Sequence, residues 1–99
     1  MNDELKIYTK HLIGRIYKIL PLYETQNKVT IKVYCNSLLL NLSSADRMFN
    51  GQFIEVLIKI NELNFDTMEH NQIRKIVLEA INIVQKMQKD LGDNNGNIS

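Results

Sequence analysis

The chain of 99 residues has one cysteine, one proline, no tryptophan and four glycines, and each scarcity removes a class of protein. Cys35 alone cannot close an internal disulfide, so no cross-linked framework holds the fold. Gly14, Gly51, Gly92 and Gly96 stand isolated from one another, which excludes the glycine-rich loops that wrap phosphates. The apolar runs are short. Leu38 to Leu42 is only five residues, and 53–60 is interrupted by Glu55 and Lys59, so no membrane span is expected. An excess of one charge is missing too: twelve Lys and Arg against eleven Asp and Glu leave a net charge of +1. The molecule as a whole therefore has no field able to collect nucleic acid or anionic lipid, and any such binding must come from a local patch. The opening Met1-Asn2-Asp3-Glu4 lacks the basic start and apolar run of a secretory signal, and with a single cysteine a reducing cytoplasm is the expected setting.

What is present is the composition of an ordinary folded protein, 44% hydrophobic and 23% charged. At this length one core must take most of the apolar side chains. We expect a single helical domain over 1–92, followed by a disordered tail at 93–99, where Asp93-Asn94-Asn95-Gly96-Asn97 offers nothing to bury. No repeat or internal boundary is visible.

Apolar spacing predicts the elements. From Asp66 to Gly92 there is neither proline nor glycine before the last residue, and Ile73, Val77, Ala80, Val84, Met87 and Leu91 step by 4, 3, 4, 3 and 4. That places all six on one stripe of a helix. Asp66 with Glu69 resembles a capping box, and Gly92 suits a left-handed closing residue, so a helix over 66–92 is expected. Residues 2–20 predict another helix, opened by Asn2, with Leu5, Tyr8, Leu12, Ile16 and Ile19 inward; Pro21 is expected to end it. Leu22 to Asn27 then reads as a connection. Gln52, Glu55, Lys59 and Glu62 form a polar stripe that predicts a helix at 52–64, with Glu55 and Lys59 spaced as an exposed ion pair.

The ambiguous stretch is 28–42. Val29-Thr30-Ile31-Lys32-Val33 alternates and is β-branched like a strand, whereas Ile31, Cys35, Leu38 and Leu42 step like a helix. The helical reading gives an all-α fold, a compact antiparallel bundle of four helices, in which a second stripe of Val29, Val33 and Leu40 would cover 28–42 on two sides. The alternative is α+β, with 28–35 and 53–60 paired as central strands between terminal helices. Ser43 to Gly51 reads as a loop.

No constellation of chemistry emerges. Neither His11 nor His70 has a second histidine three or four residues away, and Asp66 is already used as a cap, so no metal or cofactor is expected. No histidine falls four to six residues after Arg15, Arg47 or Arg74, the spacing of one class of helical ribonuclease. Cys35 lies in an apolar segment, where a thiol is a small core residue. No catalytic residue is assigned.

Two surfaces remain. Lys6, Lys10, His11, Arg15 and Lys18 share the polar face of the first helix, suited to an acidic protein or to phosphate. On the last helix Leu78 projects among Arg74, Lys75, Asn82 and Gln85, flanked by Ile81, and could seat a partner helix or a second copy of the chain. The resulting expectation is a non-catalytic protein-interaction module, an accessory, inhibitor or immunity-type protein on a larger macromolecule. The alternative is a nucleic-acid-binding regulator using the basic face, although arginine, the usual guanine reader, is scarce.

Overall fold

The computed structural model describes the backbone of residues 2–98 and the side chains of residues 3–91. Among these residues every regular element is α-helical: α1 (Asn2–Tyr17), α2 (Ile19–Thr25), α3 (Lys28–Met48), α4 (Ile54–Asn61) and α5 (His70–Ile98). The α+β alternative, with strands at 28–35 and 53–60, does not hold.

The extra helix arises at Pro21, which does not stop the chain but bends it. Pro21 has no N–H to donate to the carbonyl of Tyr17, and its ring crowds that same carbonyl four residues back. The break therefore falls at Lys18, while Pro21 itself sits in the first turn of α2, where its missing donor costs little. Hydrogen bonds bridge the bend, from Lys18 N to the Gly14 carbonyl at 3.1 Å and from Leu22 N to the Lys18 carbonyl at 3.2 Å. The expected connection at Leu22 to Asn27 is thus mostly helix, and only Gln26 and Asn27 lie outside one.

Asn27 starts α3, its side chain accepting the Thr30 amide at 2.8 Å. In a strand Val29, Ile31 and Val33 would share one face. Instead Ile31 is buried while Val29 and Val33 are 70% and 59% exposed, the separation that a 100° step imposes. The inward stripe is Ile31, Cys35, Leu38, Leu42 and Ala45. Because Ala45 extends it by another turn, the helix carries through Ser43-Ser44, expected as loop, to Met48. The second stripe is not covered; Leu40 is 73% exposed.

Asn50 and Gly51 then take positive φ, 59° and 81°, and reverse the chain. The Gly51 amide returns to the Asp46 carbonyl at 2.7 Å, while the Asp46 carboxylate accepts the Phe53 amide at 2.7 Å, so one aspartate serves both the end of α3 and the start of α4. In α4 the expected Glu55 partner of Lys59 is replaced by Glu62, 3.6 Å away, and by Glu79 of α5, 3.5 Å away.

The last helix begins later than Asp66. Residues 65–67 form a turn that sends Phe65 into the core against Tyr23, with ring centroids 5.8 Å apart. Asp66 is drawn instead to Lys32, 2.7 Å away on α3, and that hydrogen bond holds its carboxyl below the usual carboxylate range. Capping passes to the next such pair: the Glu69 amide donates to the side chain of Gln72 at 3.0 Å, half of a capping box displaced by three residues. The closing role expected of Gly92 does not hold: the backbone of α5 runs through it, and the stretch from 93 expected as a disordered tail continues the helix as far as Ile98, while Ser99 lies outside the described residues.

Helix α5 is the element that α1, α2 and α4 share. It packs along α1 and α4 and against the end of α2, while α3 packs on α2 and α4. Its inward face carries Ile73, Val77, Ala80 and Val84, widened by Ile76 and Ile81 on either side, with Met87 and Leu91 partly buried.

Candidate binding groove

Since α1 leans on α5 and α3 leans on α2 and α4, a groove of about 540 Å³ remains on the outside between α1 and α3. Its α1 wall is His11, Gly14, Arg15 and Lys18. Its α3 wall is Tyr34, Ser37, Leu38 and Asn41. Helical geometry brings each set together: on α3, positions 34, 37 and 41 occupy the strip between the buried stripe and the exposed Val29, Val33 and Leu40.

Arg15 is held from two directions. Tyr34 donates its hydroxyl to the Arg15 carbonyl at 2.7 Å, and the guanidinium donates through Nη1 to Oδ1 of Asn41 at 3.0 Å. The same Asn41 oxygen accepts the Tyr8 hydroxyl at 2.9 Å. With its oxygen doubly engaged, Asn41 turns its amide nitrogen, a pure donor, to other uses. Lys18 Nζ lies 6.0 Å from the centre of the Tyr34 ring, the outer limit of a cation–π contact. Burial pushes both the Tyr8 and Tyr34 phenols up from their ordinary value, so each remains a protonated donor at neutral pH.

The groove is rich in donors and poor in acceptors. Arg15, Lys18, His11, Ser37 and Asn41 line it, and no aspartate or glutamate does. Among the described residues Lys18, His11 and Ser37 have no ion pair or side-chain hydrogen bond within the protein. An arginine fixed at one edge keeps its remaining N–H groups oriented, which favours bidentate recognition of an oxyanion.

Gly14 fits no structural need. It sits inside α1, where glycine costs roughly 1 kcal/mol relative to alanine. A Cβ placed there would meet nothing within 4 Å, and its φ is not in the left-handed region. Neither packing nor backbone conformation calls for glycine; what the missing side chain leaves is open space in the groove.

The structure divides the residues expected to bind a partner. His11, Arg15 and Lys18 meet in the groove, whereas Lys6, half-buried, and Lys10, exposed, do not line it. Leu78 is 39% exposed and borders a shallow recess with Tyr17, Leu20, Pro21, Glu24 and Arg74. Ile81 is only 7% exposed and belongs to the core, so the pair does not form a joint apolar surface. The α3 wall, Tyr34, Ser37 and Asn41, was absent from the expected set. The signal for it was a polar and aromatic strip at helical spacing, visible only once 28–42 is taken as helix.

Elsewhere the reactive side chains lie apart. His70 is 3.7 Å from Glu24, and its ring lies tilted beside that of Tyr23 with centroids 5.5 Å apart, tying the start of α5 to α2. Among the described residues no three His, Cys, Asp or Glu side chains are grouped to hold a metal ion, and no helix is long and apolar enough to cross a membrane. Burial pushes the Cys35 thiol up to about 11. At pH 8 on the order of one molecule in a thousand would then carry the reactive thiolate. We expect an aromatic disulfide reagent to label Cys35 slowly in the native protein and rapidly in denaturant; equal rates would contradict its burial. Because the native thiol pKa is raised, the stabilisation it reports is full below the ordinary value of 9.0 and is lost as pH climbs from there through 11.

Comparison with family models, with curated proteins and with solved structures finds no match.

Proposed function

We propose that this protein is a small non-catalytic interaction module, an accessory or inhibitor-type protein that occupies a surface on a larger macromolecule through the α1/α3 groove. The observation that carries the reading is the groove itself, three basic side chains and two polar donors assembled from two helices with no carboxylate among them. A partner bearing negative charge supplies the missing acceptors. The short connections between the helices support an antiparallel arrangement of the scaffold, and the single buried cysteine suits a reducing cytoplasm.

The test is capture from the native cell with tagged wild type and with the double variant Arg15→Glu, Lys18→Glu. Both residues are exposed, so helicity by circular dichroism should be unchanged. Wild type should retain a partner that the double variant loses by at least tenfold, with Leu78→Glu behaving as wild type. Capture indifferent to the double reversal would overturn the assignment of the groove. Loss with Leu78→Glu alone would move the docking surface to α5.

A further inference from the structure

Resting on that reading, we propose that the groove receives an acidic segment of a protein partner, with an aliphatic side chain seated over Gly14 and carboxylates on Arg15 and Lys18. Four features of the groove select this occupant. First, the lining is exposed except for half-buried Tyr34 and buried Leu38, whereas a small-molecule site encloses most of its ligand. An open channel between two helices suits a length of chain. Second, the side chains of His11, Arg15 and Lys18 spread hydrogen-bond donors along about 10 Å of helix axis at 1.5 Å per residue. That distance spans more than one carboxylate, either on successive turns of a helix or on every second residue of an extended segment.

Third, the lining includes the apolar Leu38 together with Gly14, where a Cβ would meet nothing within 4 Å. A purely ionic contact would need no such gap. A Cβ at position 14 could be accommodated by the protein, so the position stays open for something from outside. Fourth, nucleic acid is a poorer fit. Lys6 and Lys10 do not line the groove, which leaves too few cationic contacts for appreciable phosphate-driven affinity, and the net charge of +1 adds no long-range attraction.

The experiment uses the full chain, labelled with nitrogen-15, and follows amide shifts during titration with defined probes. These are a short peptide of glutamates with a leucine at every fourth position, its glutamine counterpart, its leucine-to-serine counterpart, and an oligothymidylate. The Glu/Leu peptide should shift the amides of Gly14, Arg15, Tyr34, Ser37 and Asn41, with an affinity that falls as salt is added. Replacing either its glutamates or its leucines should weaken binding about tenfold. Gly14→Leu should do the same while leaving the charges intact and the helix at least as stable. Lys10→Gln, outside the groove, should bind as wild type.

Several outcomes would overturn the inference: shifts with oligothymidylate but not with the peptide, no localised shifts with any probe, or binding unaffected by Gly14→Leu. The capture comparison separates this failure from that of the broader reading. A native partner lost by Arg15→Glu, Lys18→Glu together with no binding of the acidic peptide removes the acidic segment and keeps the docking groove. A native partner indifferent to the double variant removes both.

Discussion

Phe53→Ala should destabilise the protein by about 3–5 kcal/mol, the largest loss expected from any truncation to alanine in this chain. Phe53 is completely buried at the junction where the turn after α3 enters α4. Tyr8 of α1 meets its ring edge-on at 5.2 Å and Phe49 meets it edge-on at 5.9 Å, so one side chain joins three parts of the chain. Edge-to-face pairs of this kind add about 0.5–1.5 kcal/mol beyond the area they bury. Removing the ring loses transfer energy, both aromatic pairs and the packing of Tyr8, which also anchors Asn41 in the groove. A domain of this size has only about 5–15 kcal/mol in total. Each kcal/mol corresponds to about 4–8 °C, so the midpoint of thermal unfolding should fall on the order of 20 °C. Phe49→Ala, at a half-buried ring, should cost clearly less. A loss below about 1 kcal/mol for Phe53→Ala would mean that the junction is not packed as described.

That junction also shows why parts of the fold were legible and others were not. The stripe Ile73, Val77, Ala80, Val84 was plain because a long amphipathic helix writes its period directly into the sequence. Where α5 begins was less plain. Asp66-x-x-Glu69 and Glu69-x-x-Gln72 are both capping patterns, and the choice between them is made by Phe65, which must turn inward to reach Tyr23, and by Lys32, which claims Asp66 from another helix. Neither contact is local. Pro21 misled for a different reason: it is a strong punctuator, but the same residue that breaks an interior turn is welcome in the first turn of the next helix. Ser43-Ser44 reads as loop by residue type, yet Leu42 and Ala45 on either side keep the inward stripe going. The groove was half legible. His11, Arg15 and Lys18 are one face of one helix, whereas Asn41 lies 26 residues beyond Arg15 and meets it only through the tertiary fold.

Ile81 belongs to the core, and replacing it should have the second large effect. Placed three residues after Leu78, Ile81 looked like its neighbour on an outer face, but three residues turn a helix by about 300°, so the two lie about 60° apart. On a helix packed by α1 on one side and α4 on the other, 60° separates a boundary position from the core. Ile81→Glu should therefore cost more than about 3 kcal/mol, because it removes a buried aliphatic side chain and asks a carboxylate to remain in its place. Part of that cost should be relieved by acid: the buried carboxyl would take up a proton well above the usual carboxylate range, so the variant should regain stability as pH falls toward 5 while wild type does not. Leu78→Glu, at a position 39% exposed, should cost less than about 1 kcal/mol and show no such acid recovery. Chemical denaturation of both variants at pH 7 and pH 5 reads the difference. Equal small losses would place Ile81 on the surface beside Leu78 and restore the apolar patch on α5. A large loss confined to Ile81 leaves α5 as the shared core helix and the α1/α3 groove as the surface on which partner binding is to be tested.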